Sequence, residues 1–334
     1  MKKKFVLQWH ITERCNLRCM HCYREEHEDR KPVQLEDGQL LDILRQYKEL
    51  LKKLDMKGHI NVTGGEPLSC PFFFGLLDEF KKDKELYSFS VLSNGIPVTD
   101  GIAREIAGYG PEYVQVSIEG GKRVNDLIRG KGTYEKIAAG IRHLKKHGIF
   151  VSVSFTANRM NYREFPKVVK YALRNGADVV WSDRYIPIGG DKTVEPLGLE
   201  ETRAYLRSMQ DERAKLKSRE DTRLAVSMYR ALQFQMTNDF PYACTAGDTL
   251  LTVMENGDLA PCRRLPIVCG NLLEENMCDL YADSPVLRQL RAAGAPDGCM
   301  GCEHEKLCRG GLKCLTYALH NDFNYKDCGC DYQP

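Results

Sequence analysis

Short apolar runs alternate with longer segments in which apolar residues recur every three or four positions, up to about residue 198. The short runs are rich in β-branched and aromatic residues, which is typical of strands. They predict strands at about 5–10, 59–63, 87–92, 113–118, 149–155 and 178–183. The longer segments predict helices at about 36–54, 71–83, 99–108, 133–147 and 162–175. This alternation predicts an α/β fold in which helices cover a parallel sheet.

The pattern changes beyond these repeats. From 199 to 239 the chain is strongly charged and keeps a helical periodicity, so we expect a solvated helix that links two domains. The helical periodicity stops after Phe240, and ten of the fourteen cysteines follow. We therefore predict an α/β domain at 1–198, a helical linker at 199–239 and a small cysteine-rich domain at 240–334.

Composition excludes several classes of protein. The chain has 334 residues, 43% of them hydrophobic and 28% charged, as in ordinary soluble proteins. A formal net charge of +2 provides no long-range attraction to nucleic acid or to acidic membranes. Polar residues interrupt the first apolar run too early for a signal peptide, and no apolar stretch is long enough to cross a bilayer. We expect a cytoplasmic protein whose cysteines bind metal or act in catalysis rather than form disulfides.

Cys15, Cys19 and Cys22 form a CxxxCxxC motif directly after the first predicted strand. Three thiolates can hold a cubane iron–sulfur cluster and leave one iron without a protein ligand, whereas an electron-carrier cluster normally takes four cysteines. The open iron can then bind a small molecule. A structural zinc site is the alternative, with His10 or His21 as the fourth ligand.

The motif resembles that of the radical S-adenosylmethionine (radical SAM) superfamily. The resemblance implies a partial (β/α)6 TIM-like barrel in which a [4Fe-4S] cluster binds SAM and, once reduced, yields a 5′-deoxyadenosyl radical. It also implies an electron donor such as flavodoxin or ferredoxin. In α/β barrels the reacting residues lie at the C-terminal ends of the strands, and the cysteine motif has that position after the first predicted strand.

Further segments at predicted strand ends resemble the SAM-binding motifs of this superfamily. A GGEP sequence follows the second strand, and serine-containing strand ends resembling the TNG-like and SLDG-like motifs of the family follow at the third and fourth. An arginine in the next loop is placed to bind the cofactor carboxylate through two hydrogen bonds. The implied cofactor-binding residues are Gly64, Gly65, Glu66, Pro67, Ser93, Asn94, Ser117 and Arg129.

The C-terminal cysteines resemble the SPASM extension of radical SAM peptide maturases, which holds two auxiliary [4Fe-4S] clusters. The sequence departs from that pattern at Leu312, where a cysteine is usual, and at Cys328, which replaces a proline. The resemblance implies Cys244, Cys262 and Cys314 as ligands of the first auxiliary cluster. It implies Cys299, Cys302, Cys308 and Cys330 for the second, with Cys328 as a substitute for Cys330. A pair of zinc ribbons is the alternative for the tail.

The resemblance implies oxidative modification of a ribosomally made peptide or protein side chain, and a thioether or carbon–carbon cross-link is the leading hypothesis. The alternatives are a radical SAM enzyme that modifies a tetrapyrrole or haem precursor, a sulfatase-maturase-like oxidation of cysteine or serine, and a zinc-ribbon interaction module without enzymatic activity. The sulfatase-maturase alternative is disfavoured because the CysAsp of those enzymes is Cys262-Arg263 here. Arg263 and Arg264 face either an anionic substrate group or solvent.

Several polar residues at or after predicted strand ends are expected to line the substrate cavity: Tyr23, Arg24, Asp183, Arg184 and Glu195. Asp183 is the candidate proton acceptor. Because the first predicted strand begins at about Phe5, we expect any leader peptide to be recognised by the barrel, the tail or a separate protein.

Overall fold

A computed structural model describes residues 4–23, 32–189, 193–237 and 240–334. The first six strands are β1 Lys4–His10, β2 Lys57–Thr63, β3 Tyr87–Ser93, β4 Val114–Ser117, β5 Val151–Ala157 and β6 Val179–Arg184. The helices among them are α1 Asp37–Lys53, α2 Phe73–Lys82, α3 Asp100–Tyr109, α4 Lys122–Arg129, α5 Thr133–Lys146 and α6 Phe165–Arg174. All six predicted strands are confirmed to within two residues at each end, whereas α4 was not predicted.

The remaining elements extend this core. They are α7 Leu199–Lys217, β7 Ala225–Ser227, β8 Leu250–Val253, β9 Asp258–Ala260, β10 Gly270–Asn271, α8 Met277–Asp283, α9 Pro285–Ala292, α10 Glu305–Cys308 and α11 Lys313–His320. β7 pairs parallel to β6, in a segment where we predicted only a helical linker. β8 pairs parallel to β1, so the start of the cysteine-rich region joins the opposite edge of the barrel sheet.

The sheet has the strand order β10-β9-β8-β1-β2-β3-β4-β5-β6-β7 among the described residues. No pairing joins its two edge strands there, so the sheet stays open. The fold is therefore the α/β partial barrel with helices that the sequence predicted. In the part of the chain that the structure describes, no helix is both long and apolar enough to cross a membrane.

The two faces of the barrel strands differ in polarity. Side chains such as Leu7, Val62 and Val116 are fully buried in the apolar core between the sheet and its helices. Alternate positions such as Gln8 and Gln115 point to the other face and line cavities inside the barrel. This alternation follows from the two-residue period of a strand. The barrel therefore has a polar lumen that leads to the C-terminal ends of its strands.

Candidate active site

A cavity of about 440 Å³ lies at the C-terminal ends of the barrel strands. Parallel strands end at one edge of a sheet, so residues that are distant in sequence meet there. The predicted site residues in its wall are Cys15, Cys19, Cys22, Gly64, Gly65, Ser93, Asn94, Ser117, Arg129 and Asp183. Glu66 and Pro67 are buried and do not line it.

The two glycines of the GGEP motif allow the cysteine loop to approach β2. A Cβ atom on Gly64 would lie 2.4 Å from the Thr12 carbonyl oxygen, and one on Gly65 would lie 2.3 Å from that of Arg14. Gly64 also has a φ of +149°, which side chains rarely adopt. The Gly65 and Glu66 amides donate hydrogen bonds of 2.8 Å to the same two carbonyls. The motif therefore holds the loop that carries the cysteines.

Glu66 connects this motif to the end of β3. Its buried carboxylate accepts hydrogen bonds from the Ser93 hydroxyl at 2.9 Å and from the Asn94 amide at 2.7 Å. The Asn94 side chain in turn donates to Asn16 Oδ1 at 2.7 Å and lies 4.0 Å from Cys15 Sγ. Burial raises the pKa of Glu66 to about 7, although these hydrogen bonds oppose the shift. Glu66 thus positions side chains beside the first cysteine without entering the cavity.

Arg129 is paired within the chain. Its Nε and Nη2 donate to Glu119 Oε1 at 3.2 and 2.6 Å, and His21 Nε2 lies 3.2 Å from the same oxygen. Burial raises the pKa of Glu119, but His21 and Arg129 have the larger combined effect and lower this pKa to about 2. Only Nη1 of Arg129 faces the cysteine motif, 3.9 Å from Cys19 Sγ. The expected two-point contact with the cofactor carboxylate is taken by Glu119, a residue that the sequence analysis did not select.

Asp183 also forms ion pairs within the chain. Its Oδ2 accepts a hydrogen bond from Arg264 Nη2 at 2.8 Å and lies 3.6 Å from Arg230 Nε. Burial raises the pKa of Asp183, but these arginines and Arg184 lower it to below its usual value. A carboxylate that remains ionised is a weak proton acceptor. The geometry suits Asp183 to positioning the arginines better than to the catalytic role that we predicted.

Arg263 has a different environment from its neighbour. Among the described residues it forms no ion pair with a carboxylate, and it lines both the main cavity and an adjoining cavity of about 220 Å³. Burial lowers the pKa of Arg263, and so does the nearby Arg264. Arg230 and Arg264 lie beside the carboxylate of Asp183, and Arg263 adds a further positive charge near these two arginines. The excess positive charge suits an anionic group in the cavity.

Three cysteines of the tail form the first of two thiol groups. Burial raises the pKa of the Cys314 thiol, and the nearby thiolates of Cys262 and Cys244 raise it further. Cys262, which follows β9, and Cys314 in α11 are 52 residues apart and pack in one hydrophobic cluster of the tail. These are the three residues that the resemblance implied for the first auxiliary cluster. The Cys269 thiol is not part of this group and donates a hydrogen bond to the Ile267 carbonyl.

The second thiol group surrounds a small pocket. Its cysteines are Cys299, Cys302, Cys308 and Cys330. Burial raises the pKa of Cys308 to about 12, and the charges of Asp327, Cys330 and Cys299 contribute. Cys328 does not line this pocket, and its Sγ lies 3.9 Å from the Leu197 carbonyl. The geometry therefore favours Cys330 over Cys328.

The four other residues expected at the cavity have three different outcomes. Tyr23 and Arg184 are in its wall. Glu195 pairs with Arg159 at the surface and does not line the cavity. Arg24 lies outside the described residues.

Among the described residues, no three His, Cys, Asp or Glu side chains are arranged to hold a metal ion. A cubane binds each thiolate through a different iron, so its ligands are farther apart than those of a single ion. All fourteen cysteines are free thiols. Metal ligation by the individual cysteines stays a prediction.

Comparison with protein-family models matches the radical SAM superfamily at residues 9–172 and SPASM, an iron–sulfur cluster-binding domain, at residues 244–303. An AdoMet-dependent heme synthase of Methanosarcina barkeri is 25% identical over 98% of this chain and 97% of its own length. The mycofactocin maturase MftC of Mycolicibacterium smegmatis is 26% identical over 93% of this chain and 78% of its own length.

Two solved structures share the fold. Streptococcus suis SuiB bound to S-adenosylmethionine superposes with a TM-score of 0.77 at 18% identity, over 99% of this chain and 78% of SuiB. The structure of anSMEcpe with bound AdoMet superposes with a TM-score of 0.79 at 18% identity, over 98% of this chain and 91% of that one.

The described residues fit the cofactors of this superfamily. Free thiols of the CxxxCxxC motif share one cavity, and the glycines after β2 leave room for close approach at its edge. In the tail, the buried Nζ of Lys313 has no hydrogen-bond partner among the described residues, which suits a site for an anionic cluster nearby. The matches to the radical SAM superfamily, to an iron–sulfur cluster-binding domain and to enzymes contradict the non-enzymatic zinc-ribbon alternative. The chain belongs to the radical SAM superfamily, as an enzyme with a SAM-binding [4Fe-4S] cluster and a SPASM domain for auxiliary iron–sulfur clusters.

Proposed function

We propose that this enzyme oxidatively modifies a side chain of a ribosomally made peptide or protein and forms a thioether or carbon–carbon cross-link. One observation carries the proposal. The wall of the 440 Å³ cavity includes both the N-terminal cysteine motif and Arg263 and Arg264, which follow the auxiliary-group residue Cys262. The cavity therefore extends from the N-terminal cysteine motif to residues that follow a cysteine of the first auxiliary thiol group.

When bound, the cofactors supply a 5′-deoxyadenosyl radical that removes hydrogen from carbon, and auxiliary clusters that can accept the electron released on bond closure. The chain positions these groups. Glu66 and Asn94 hold the loop of Cys15, and the Glu119–Arg129 pair is fixed beside Cys19. Asp183 holds Arg264 between the cavity and the first auxiliary thiol group.

The size of the cavity favours a side chain as the group that enters it. Ligand pockets span about 300–1,000 Å³, so 440 Å³ is near the small end of that range. The same space also has to hold the adenosyl cofactor. The remaining volume suits one side chain or a short peptide segment better than a whole macrocycle. A relative named as a maturase, MftC, aligns over most of the chain and supports this class of function.

A tetrapyrrole precursor is the second candidate substrate. The alignment with AdoMet-dependent heme synthase covers nearly the full length of both chains and favours it. The unpaired guanidinium of Arg263 also suits the carboxylates that such precursors carry. For either substrate we propose a flavodoxin or ferredoxin as electron donor. We propose a separate leader-recognition protein only if the substrate is a peptide.

The two candidates are separated by one pair of assays. The enzyme is expressed without oxygen together with a small cysteine-containing peptide encoded beside its gene, and the peptide is weighed by mass spectrometry. We expect a loss of two hydrogens that disappears when Cys15, Cys19 and Cys22 are replaced by alanine. In parallel, the purified enzyme is incubated with SAM, dithionite and iron coproporphyrin III. An unchanged peptide together with a converted porphyrin would overturn the peptide proposal and support the second candidate.

A further inference from the structure

Lys313, the first residue of α11, is buried without a partner. Only 5% of the residue is exposed. Its Nζ is inaccessible to solvent and has no hydrogen-bond partner among the described residues. Lysine is almost never fully buried unless its charge is paired. Removing an ammonium group from water is costly without such a pair.

The surroundings of this ammonium group do not compensate its charge. Nζ lies 5.6 Å from the ring centroid of Phe323, which is near the outer limit of a cation–π contact. No ion pair joins Lys313 to Asp322 or to any other carboxylate in the described ranges, and the nearby Arg309 is repulsive. The groups whose negative charge would act on it are Cys244, most strongly, and then Asp322 and Cys308.

Lys313 is next to the first auxiliary thiol group. It directly precedes Cys314, and Cys314 interacts electrostatically with Cys262 and Cys244. A cubane on three thiolates adds negative charge to the place where the chain has a buried, unpaired positive charge. That cluster can therefore be the missing partner of the ammonium group.

A second cation at this site already has a partner. Arg264 interacts with Cys314, but its Nη2 donates a hydrogen bond to Asp183 at 2.8 Å. Arg263 also forms no ion pair with a carboxylate and interacts with Cys262, but it lines the open cavity. Nζ of Lys313 is instead enclosed by the protein, without a hydrogen-bond partner among the residues that the structure describes.

We propose that Lys313 is the counter-charge of the first auxiliary cluster and raises its reduction potential. Reduction adds one electron and one negative charge to the cluster, and a fixed ammonium group stabilises the more negative state. The proposal goes beyond the function proposed above, because it needs no substrate and holds for either candidate.

The test is a redox titration of the holoenzyme that is monitored by electron paramagnetic resonance. The signal of the first auxiliary cluster is identified by its absence from the Cys262→Ala holoenzyme. We expect Lys313→Met to lower the equilibrium constant for its reduction at least tenfold, which is about 59 mV for one electron. Lys313→Arg, which keeps the charge, should stay within threefold of the wild type. Lys217→Met, at an exposed lysine on α7, should leave the constant unchanged.

Each other outcome also decides the proposal. A Lys313→Met constant less than tenfold below that of the wild type would overturn it, since the charge would then have too little effect on the cluster. If Lys313→Met loses the signal and its share of bound iron while Lys313→Arg keeps both, the charge is needed to hold the cluster and the proposal is supported. Loss of the cluster from both variants would overturn it, because shape rather than charge would then be the requirement.

Discussion

Arg184 at the end of β6 and Asp327 in the C-terminal tail form a buried ion pair with two hydrogen bonds, of 2.7 and 2.5 Å. Asp327 also accepts the backbone amides of Leu312 at 3.0 Å and Gly329 at 2.9 Å. One carboxylate therefore joins the barrel both to the start of α11 and to the turn before Cys330. This contact spans 143 residues and positions both thiol groups of the tail against the barrel.

Replacing Arg184 by methionine leaves Asp327 buried without a counter-charge. We expect the free energy of unfolding to fall by about 3–5 kcal/mol, as for other broken buried pairs. Denaturant unfolding of both proteins under anaerobic conditions measures the change. The matched control is Arg219→Met, which removes an exposed arginine paired with Asp221 and should have no measurable effect. Equal shifts in the two variants would contradict the structural role of the pair.

The raised pKa of Glu66 should make the stability of the protein depend on pH. Its pKa is raised from 4.5 to about 7 in the folded state, so the folded protein binds the proton more tightly than the unfolded chain. The associated stability is fully present below pH 4.5 and is lost as the pH rises through about 7. With about 1.36 kcal/mol for each pKa unit, the loss is about 3 kcal/mol. Unfolding midpoints between pH 5 and 8 should therefore fall more steeply for the wild type than for Glu66→Gln; parallel curves would refute the assignment.

Replacement of Glu119 should cause a defect at the SAM-binding cluster. Glu119→Gln removes the charge that pairs with Arg129, next to Cys19, and with His21, inside the cysteine motif. Residues that support metal ligands in this way typically contribute about 10–100-fold to metal affinity or activity. We expect a loss of that size in deoxyadenosine formation after reconstitution with iron and sulfide. The control, Glu135→Gln, changes an exposed glutamate on α5 and should leave the rate intact; a normal rate in Glu119→Gln would contradict the prediction.

Arg263 should make the enzyme selective for substrates that carry an anionic group. A hydrogen bond to a charged group contributes about 1.5–3 kcal/mol, so Arg263→Gln should lower kcat/KM by roughly 10–100-fold for a substrate with a carboxylate. Arg263→Lys should recover part of the loss, because it restores the charge without the planar fork. Steady-state assays on the identified substrate and on its amide analogue measure the effect. An equal loss for both substrates would show that the guanidinium does not read the carboxylate.

Replacement of Cys328 and replacement of Cys330, the last two cysteines of the chain, should have different effects on iron content. Cys330→Ala should lose roughly four irons per chain, the content of one [4Fe-4S] cluster. Cys328→Ala should keep the wild-type amount, since its thiol is outside the pocket that the other four cysteines line. Iron analysis of anaerobically reconstituted protein measures both. Loss of iron from Cys328→Ala alone would reverse the assignment.

Local patterns were sufficient to predict the alternating strands and helices, and the resemblance to the radical SAM superfamily implied that they form a partial barrel. Strands and helices have different apolar periods, so their order and approximate bounds can be read from short windows of sequence. The CxxxCxxC and GGEP motifs are contiguous, and their place after the first two strands already put them at one edge of the sheet. Helix α4 was missed because it is short and follows the fourth strand directly. The strands from β7 onward have two to four residues, too few to show a period.

Contacts between distant segments were decided only by the tertiary structure. The pairing of Arg129 with Glu119, the double pairing of Asp183 and the isolation of Lys313 depend on which side chains meet after folding. Charge compensation is a property of three-dimensional neighbours, because electrostatic energy depends on distance and burial rather than on order along the chain. The sequence by itself therefore determined the fold and the position of the cluster motifs. The packing of the tail on β1 and β6 determined which charges are paired and which remain for a cluster or a substrate.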